Sequence, residues 1–391
     1  AAWGSRWVGQ PAITVVSSRG RHSAKAGRPA PGILRKRWHC FGAASCYGWR
    51  CWSAGVWRVL EHGGRLRAAA ARYAAFGDWP LADWLDLSTG INPRAYPVPA
   101  IDPQCWQRLP EDDDGLNDAA AAYYGSQRLL AVPGSQAAIQ LLPALFAPLA
   151  VACMTPIYEE HPLAWQRAGH KLRRLENVSL PRALAVATPM IVLCNPNNPT
   201  GRRLPAAELL AAAAQLQRRG GWLVVDEAFG DVEPGNCLAA LAGSPEAPNL
   251  IVLRSLGKFF GLAGARVGFV FAADDKLALL REAIGPWPLS GPARAVARLA
   301  LADRGWQAQT RHQLAAAAAR LTALLRPFGE LGGTALFVSL STPHAASLFE
   351  HLARQAILTR HFPAQGLLRC GLPACEREWL RLSSALTTWV P

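Results

Sequence analysis

The chain has 391 residues, 51% of them hydrophobic and 17% charged, which is enough apolar material for a packed core and more than one domain. Its longest apolar stretch, residues 129–152, is interrupted by three prolines and several polar residues, so no transmembrane helix is expected. The net charge is +14, but residues 1–58 hold ten Lys and Arg and no acidic residue, which leaves a net charge of +4 over residues 59–391. The main part of the chain therefore lacks the basic excess of a nucleic-acid-binding protein, and we expect neither a nucleic-acid nor a membrane partner.

Residues 1–58 differ from the rest of the chain. They contain six of the 15 Trp and three of the nine Cys, and they show no hydrophobic period. An Arg-rich, acid-free composition is compatible with a transit peptide, although six Trp argue against it, and with a basic nucleic-acid-binding arm. We favour a third interpretation, translated upstream DNA of high GC content from a misplaced start, with the domain starting near residue 59 or 60. The segment is therefore expected to be non-native or disordered, and dispensable.

From about residue 110, short apolar segments alternate with helical patterns. One helical pattern covers residues 205–219, with Pro205 in its first turn and two glycines just past its end, as capping preferences predict. Continuous apolar strands alternating with helices are typical of an α/β fold, a mostly parallel sheet covered on both faces. The predicted strands are residues 151–155, 190–194, 222–226, 250–254 and 266–272.

The C-terminal part of the chain predicts a smaller α+β unit. Residues 291–328 form one long Ala- and Leu-rich helical pattern, and residues 374–388 predict a closing helix. The strands predicted between them are residues 335–340, 357–359 and 367–370. We therefore expect a large domain over residues 109–290 and a small domain in two parts, residues 59–108 and 291–391.

Six cysteines beyond the N-terminal segment lack the spacing of metal ligands, and several lie in apolar runs. They are Cys105, Cys153, Cys194, Cys237, Cys370 and Cys375. We expect buried free thiols, no metal site and a reducing compartment, the cytoplasm.

Polar motifs follow several of the predicted strands. Pro133-Gly134-Ser135-Gln136 lies between an apolar strand and a helix, where Ser135 and the helix N-terminus can donate hydrogen bonds to a phosphate, although a plain helix cap has the same pattern. The loop 195–201, Asn-Pro-Asn-Asn-Pro-Thr-Gly, is made rigid by its prolines and can hold a ligand oxygen or be an ordinary turn. Because open α/β sheets bind ligands at the carboxyl ends of their strands, these motifs predict a common site.

Asp226 and Lys258 lie at the ends of the next two strands. A buried carboxylate such as Asp226 needs a cationic or hydrogen-bonding partner, which a protonated pyridine nitrogen would supply. The chain has no GxxxxGK[ST] phosphate loop, so Asp226 is not the metal-binding carboxylate of a P-loop NTPase. Lys258 is flanked by apolar residues and is expected to have a lowered pKa and act as an amine nucleophile, the alternative being a surface lysine. Ser255 and Arg266 can both face a phosphate.

The order and spacing of these motifs resemble the fold-type I pyridoxal-5′-phosphate (PLP) enzymes, the aspartate aminotransferase superfamily. The intervals are 28 residues from Asn198 to Asp226 and 32 from Asp226 to Lys258, and the resemblance covers about residues 60–390. It implies a Schiff base between Lys258 and the cofactor, pairing of Asp226 with the pyridine N–H, and a hydrogen bond from Asn198 to the ring oxygen. The residues implied to hold the cofactor phosphate are Ser135, Gln136, Ser255 and Arg266.

The same resemblance implies residues around the reacting ring and the substrate. Tyr158 matches the residue that stacks on the cofactor ring, and Arg369 matches the arginine that binds the substrate carboxylate. For a substrate phosphate the candidates are Arg360 and His62, each of which could instead be a surface salt bridge or a core residue. The complete set of substrate-binding candidates is His62, Gly64, Asn92, Arg360 and Arg369.

Sequence features also separate two branches of this superfamily. The motif Glu61-His62-Gly63-Gly64 and residues 86–93, Asp-Leu-Ser-Thr-Gly-Ile-Asn-Pro, resemble threonine-phosphate decarboxylases of cobalamin biosynthesis more than histidinol-phosphate aminotransferases. Phe229 stands where the aminotransferases have a Tyr, and residues 110–116, Pro-Glu-Asp-Asp-Asp-Gly-Leu, match the decarboxylases of aerobic cobalamin operons. The resemblance implies decarboxylation of L-threonine O-3-phosphate, with histidinol-phosphate transamination as the alternative. A PLP-fold binding module without catalysis is a second alternative, against which the intact Lys258 argues.

The resemblance further implies a homodimer that binds a small phosphorylated amino acid. Leu109 stands where many relatives have a Tyr that reaches the partner subunit's cofactor phosphate. That phosphate is therefore expected to rely on its other donors in this chain.

Overall fold

The computed structural model describes residues 62–390. The N-terminal segment 1–58 with its three cysteines, the expected domain start near residue 59 or 60, and Glu61 lie outside the described residues. What the sequence predicts for them stays a prediction.

The described residues form short strands and helices throughout. The strands are β1 (Leu85–Asp86), β2 (Leu129–Val132), β3 (Ala150–Thr155), β4 (Lys171–Glu176), β5 (Met190–Cys194), β6 (Trp222–Asp226), β7 (Leu250–Ser255), β8 (Gly268–Phe271), β9 (Glu330–Thr334), β10 (Phe337–Ser341), β11 (Ile357–Leu358), β12 (Arg360–Phe362) and β13 (Leu367–Gly371). The α-helices are α1 (Leu66–Tyr73), α2 (Gln104–Gln107), α3 (Leu116–Tyr124), α4 (Gly134–Leu141), α5 (Glu160–Arg167), α6 (Leu180–Ala185), α7 (Ala206–Gln217), α8 (Asp274–Ile284), α9 (Gly291–Ala302), α10 (Arg304–Leu325), α11 (Ala345–Arg354) and α12 (Glu376–Thr387). No helix within residues 62–390 combines the length and hydropathy needed to cross a bilayer.

The central sheet has seven strands in the order β2-β8-β7-β6-β5-β3-β4. The neighbouring pairs among β3 to β7 are parallel, whereas β8 is antiparallel to β2 and β7. Successive residues of β5 and β6, such as Ile191 and Val192 or Val224 and Val225, enter two core clusters on opposite faces and are completely buried. Burial on both faces explains the continuous apolar runs, and the predicted α/β fold with a mostly parallel sheet is confirmed.

A second, antiparallel sheet has the order β12-β13-β10-β9. The short strand β1 pairs in parallel with β11 and so connects residues near 85 to the C-terminal part of the chain. The described residues belong to a single compact unit. The division at residues 59–108, 109–290 and 291–391 therefore stays a prediction.

The prediction of one continuous helix over residues 291–328 is wrong. The segment forms two helices, α9 and α10, that meet at Asp303, followed by a short 3-10 turn over Arg326–Phe328. Asp303 leaves the helical region with φ −82° and ψ 83°, and its side chain accepts a hydrogen bond from the Trp306 N–H at 2.9 Å. Asp303 is thus an N-cap for α10, and the Ala- and Leu-rich composition on both sides concealed it.

Two predicted strands begin later than the sequence suggested. The strand predicted from Arg266 begins at Gly268, because Arg266 has φ 53°, in the left-handed region that strands exclude. The strand predicted from Ala335 begins at Phe337, because the two residues before it form the turn between β9 and β10. The search for apolar runs did not predict β4, because this exposed edge strand carries charged residues in place of an apolar run.

The six cysteines are all free, but their burial differs. Cys153, Cys194 and Cys370 are buried as predicted. Cys105 and Cys237 are only half-buried, and Cys375 is exposed in the turn before α12, so the expectation of burial is wrong for these three.

Candidate active site

The carboxyl ends of β5, β6 and β7 meet at one edge of the central sheet, beside a cavity of about 540 Å³. Parallel strands bring their carboxyl ends to the same edge, so the loops that follow them share one space. The loop 195–201 follows β5, Asp226 ends β6, and Lys258 lies just beyond β7. The β12–β13 hairpin adds a further wall. The predicted site residues that line the cavity are His62, Ser135, Gln136, Tyr158, Asn198, Asp226, Ser255, Lys258, Arg266, Arg360 and Arg369.

Asp226 is held by a buried hydrogen bond to His161. His161 Nε2 lies 2.8 Å from Asp226 Oδ2, and the Ala228 N–H donates to Asp226 Oδ1 at 3.0 Å. Because a carboxylate only accepts, His161 is protonated at Nε2 in this pair. Burial, with the charge of Asp226 next to it, raises the pKa of the Cys194 thiol, which stays neutral. Asp226 also lines the cavity, where its remaining lone pairs can accept from a protonated ring nitrogen.

Lys258 is placed to act as an amine. Its Nζ lies 5.5 Å from the centre of the Phe229 ring on the cavity wall. Burial, then the positive charges of Arg369 and Arg266, lower the pKa of Lys258 from 10.5 to about 8, against the opposing charge of Asp226. A fraction of Lys258 is thus a neutral amine near neutral pH, the form that attacks a carbonyl carbon.

A group of potential phosphate-binding residues, the phosphate cradle, lies at the start of α4. Ser135, in the first turn of α4, lines the cavity together with Ser255 and Arg266. Gly134 has φ 72°, and a Cβ atom built on it would lie 2.5 Å from Arg266 Nη2, so only glycine allows this approach. A helix N-terminus, a guanidinium group and two hydroxyl groups therefore converge, which suits the phosphate of PLP.

The side chain of Gln136 makes hydrogen bonds to other residues of the protein. Its Nε2 donates to Glu160 Oε2 at 3.1 Å, and its Oε1 accepts the Tyr158 O–H at 3.2 Å. Beside the second N–H of Nε2, the backbone N–H of Gln136, in the first turn of α4, is available for the predicted phosphate contact.

Arg369 is a buried cation whose hydrogen bonds go to neutral oxygen atoms. Its Nη1 donates to Asn198 Oδ1 at 2.5 Å and its Nη2 to the Ser88 carbonyl at 2.9 Å, while its Nε has no hydrogen-bond partner among residues 62–390. Burial, and then the charge of Arg360, lower the pKa of Arg369 from 12.5 to about 10, so it remains charged at neutral pH. Because Asn198 accepts through Oδ1, its Nδ2 is the atom that can donate to a ring oxygen.

Arg360 lies directly opposite Arg369 in the pairing of β12 with β13. Directly opposed residues carry their side chains on the same face of a sheet. Both guanidinium groups lie over the Phe362 ring, Arg360 at 5.3 Å and Arg369 at 5.5 Å from its centre. Two arginines side by side in one cavity match a ligand with two anionic groups.

The structure does not bring Gly64 and Asn92 to the cavity wall. The Gly64 N–H donates to Ser88 Oγ at 2.7 Å. Asn92 is buried, and its Nδ2 donates to the Phe259 carbonyl at 2.9 Å. The Asn92 N–H also donates to the Lys258 carbonyl at 2.9 Å. Asn92 thus holds the backbone beside Lys258, and its contact with a substrate stays a prediction.

Sequence reasoning missed several residues of the site. Glu160 and His161 lie two and three residues after Tyr158, and ionisable residues so close to a ring-stacking residue were the available signal. Phe362 lines the cavity between the two arginines, and Ser88 contributes a carbonyl, which no sequence pattern reports.

A lysine, a buried aspartate and a phosphate cradle at the carboxyl edge of this sheet define the fold-type I architecture of PLP enzymes. A histidinol-phosphate aminotransferase from Sinorhizobium meliloti, solved in complex with pyridoxal-5′-phosphate, has the same fold, with a TM-score of 0.66 and 22% identity over 73% of this chain and 83% of that one.

Closer relatives are found by sequence. The pattern of the family aminotransferase class I and II matches residues 107–388. A threonine-phosphate decarboxylase of Pseudomonas aeruginosa is 53% identical over 330 residues, 84% of this chain and 97% of that protein. A threonine-phosphate decarboxylase of a Sinorhizobium species is 43% identical over 338 residues, with the same two coverages. The chain belongs to the aminotransferase class I and II family and, within it, to the threonine-phosphate decarboxylases.

Proposed function

We propose that this chain is a PLP-dependent carboxy-lyase that converts L-threonine O-3-phosphate to (R)-1-amino-2-propanol O-2-phosphate and CO₂ in cobalamin biosynthesis. The observation that carries the proposal is the pair Arg360 and Arg369, which are opposed on β12 and β13 and line the same cavity as Lys258. A short substrate with a carboxylate and a phosphate matches two such cations. The 53% identical relative is named for this activity.

The residues present fit the cofactor. Arg266, Ser135 and Ser255 would bind its phosphate, and Asp226 would hold a proton at its pyridine nitrogen. His161 donates to Asp226 and so fixes the carboxylate that must face the ring. When bound, PLP accepts the electron pair released as a bond at the substrate Cα breaks.

Lys258 has two tasks. Its lowered pKa supplies the neutral amine that binds the cofactor covalently. In the holoenzyme, the Nζ of Lys258 would also deliver a proton to the substrate Cα after CO₂ has left.

Orientation decides which bond at Cα breaks. The bond that the substrate-binding residues hold perpendicular to a bound cofactor's ring would break fastest, because its electrons could enter the π system. Arg369 binds the substrate carboxylate, and Arg360 with His62 binds the phosphate, so the substrate is held at two points. Phe229 contributes an apolar wall, with its ring packed edge-on against Phe337 at 5.1 Å.

The second candidate is transamination of histidinol phosphate. It would use the same Lys258, Asp226 and Arg369, and the fold is shared with a solved histidinol-phosphate aminotransferase. Phe229, in the place of a Tyr hydroxyl, favours the decarboxylase. The intact Lys258 disfavours a binding module without catalysis.

Purified protein with PLP should be offered L-threonine O-3-phosphate and, separately, histidinol phosphate with 2-oxoglutarate. We expect CO₂ and aminopropanol phosphate from the first and no glutamate from the second. Glutamate without CO₂ would move the chain to the second candidate, and neither product would overturn both.

We also propose that the chain is a cytoplasmic homodimer. Val98, Trp106, Leu109 and Trp287 expose 56%, 73%, 62% and 57% of their surfaces, apolar area that a second copy can cover. Light scattering on the eluting protein should give twice the chain mass at micromolar concentration, and a monomer there would contradict the proposal.

A further inference from the structure

Glu160 is a buried carboxylate on which three side chains converge. It begins α5 and is 8% exposed. Its Oε1 lies 2.8 Å from His62 Nε2, and its Oε2 accepts from Gln136 Nε2 at 3.1 Å and from Gln140 Nε2 at 2.9 Å. Because an ionised carboxylate has no donor, each of these groups must present an N–H to it.

This requirement fixes the direction of a hydrogen-bond chain. With its Nε2 turned to Glu160, Gln136 presents its Oε1 to Tyr158 and accepts the phenol O–H at 3.2 Å. Burial, and then the charges of Glu160 and Asp226, raise the pKa of Tyr158, so the hydroxyl keeps its proton and keeps donating. Glu160 thereby sets which way the cavity-lining Tyr158 hydroxyl points, without touching it.

The same carboxylate holds His62 at the rim of the cavity. With Nε2 protonated and committed to Glu160, the imidazole presents its Nδ1 edge elsewhere. The His62 ring lies 5.8 Å from the Tyr158 ring, and its side chain remains 44% exposed. His62 and Glu160 are 98 residues apart in sequence, so this hydrogen bond ties the segment before α1 to α5.

We propose that Glu160 is a positioning residue for both ends of the cavity. Through His62 on one oxygen it holds the substrate-phosphate end, and through Gln136 on the other it orients the hydroxyl of Tyr158 beside the cofactor ring. The inference deepens the proposed function and rests on its substrate carrying a phosphate. It assigns to Glu160 no contact with substrate or cofactor.

A purely structural role for Glu160 makes a different prediction. Gln140 also donates to Glu160 Oε2 and so helps to join α4 to α5, but it does not line the cavity. If Glu160 only joined the helices, removing the Gln140 bond would act on the protein as Glu160 variants do. Gln140→Met is therefore the matched control.

The test compares the holoenzymes of wild type, Glu160→Gln and Gln140→Met. Glu160→Gln keeps the volume but places an NH₂ group where the network needs an acceptor, so Gln136 or His62 must turn away. We expect Glu160→Gln to raise KM for L-threonine O-3-phosphate about tenfold or more with kcat within about threefold, the cost of one charge-assisted hydrogen bond. Gln140→Met should leave KM within about twofold, and equal KM values in the two variants would overturn the proposal.

Binding of inorganic phosphate to the same holoenzymes, measured by calorimetry, separates this inference from the proposed function. We expect Glu160→Gln to bind phosphate about tenfold more weakly than wild type or Gln140→Met. If the wild type shows no turnover, the proposed function is wrong, but the phosphate affinities still test the role of Glu160. Equal phosphate affinities in the three proteins would refute that role.

If Glu160→Gln does not fold, Gln136→Leu can be used instead, because it removes the hydrogen bond to Tyr158. A shifted cofactor absorbance band would then support the proposal, and an unchanged band would overturn it.

Discussion

The two ends of the cavity are built in different ways. The cofactor end consists of short motifs at the carboxyl ends of neighbouring strands in one sheet, with Asp226 on β6 and Lys258 after β7. The substrate end is assembled from side chains far apart in sequence, His62, Glu160 and Arg360, which come from the N-terminal part, α5 and β12. The positions of motifs at strand ends follow from the sheet itself. The meeting of side chains distant in sequence depends on how whole helices and strands pack.

The largest expected effect is at the cofactor end. Lys258→Ala should abolish turnover, because the amine that binds the cofactor and returns the proton is lost. Borohydride treatment of the wild-type holoenzyme, followed by peptide mapping, should label Lys258. A label on any other lysine would show that the assignment is wrong.

The same contrast explains which parts of the site could be predicted from the sequence. Asp226 and Lys258 could be predicted because each follows a continuous apolar run. Such a run is the pattern expected of a strand that is buried on both faces. Glu160 was missed because its importance comes from three donors brought to it by other elements. Asn92 is predicted to bind substrate because residues 86–93 resemble a signature of the decarboxylases, whereas its hydrogen bond to the Phe259 carbonyl could be seen only in the structure.

Asp226→Ala should leave the cofactor bound, since Lys258 and the phosphate cradle remain. It should lower kcat on the order of 10² to 10³, the usual loss when a preorganised electrostatic partner is removed. Steady-state kinetics with absorbance as a check on bound PLP will measure this. Kinetics close to wild type would refute the role of Asp226.

The two arginines provide a matched test at the substrate end. Lysine retains the charge but loses the two-pronged hydrogen bonding of arginine, so Arg369→Lys should lower kcat/KM about 10²-fold for L-threonine O-3-phosphate and for L-threonine alike. Arg360→Lys should lower it about tenfold for the phosphorylated substrate and leave the unphosphorylated one unaffected. If the two variants lose the same selectivity for phosphate, the division of roles between them is wrong.

A smaller effect concerns pH. Because the pKa of Lys258 is lowered to about 8, the neutral amine fraction of the apoprotein increases about tenfold per pH unit below 8 and levels off above it. The rate of PLP capture, followed by absorbance, should show this profile. Arg369 lowers that pKa, so Arg369→Gln should move the midpoint to higher pH. A wild-type midpoint near 10.5 would contradict the buried, charge-coupled environment of the amine.

The central claim is that the substrate end directs cleavage to the bond between Cα and the carboxylate, and turnover in D₂O tests it most directly. Lys258 exchanges its protons with solvent, so aminopropanol phosphate formed in D₂O should carry one deuterium at the former Cα and retain the original hydrogen there. Substrate recovered from the same reaction should contain no deuterium at Cα, as mass spectrometry can determine. Deuterium in the recovered substrate, or a keto product without CO₂, would show that the Cα–H bond is broken instead and would contradict the account.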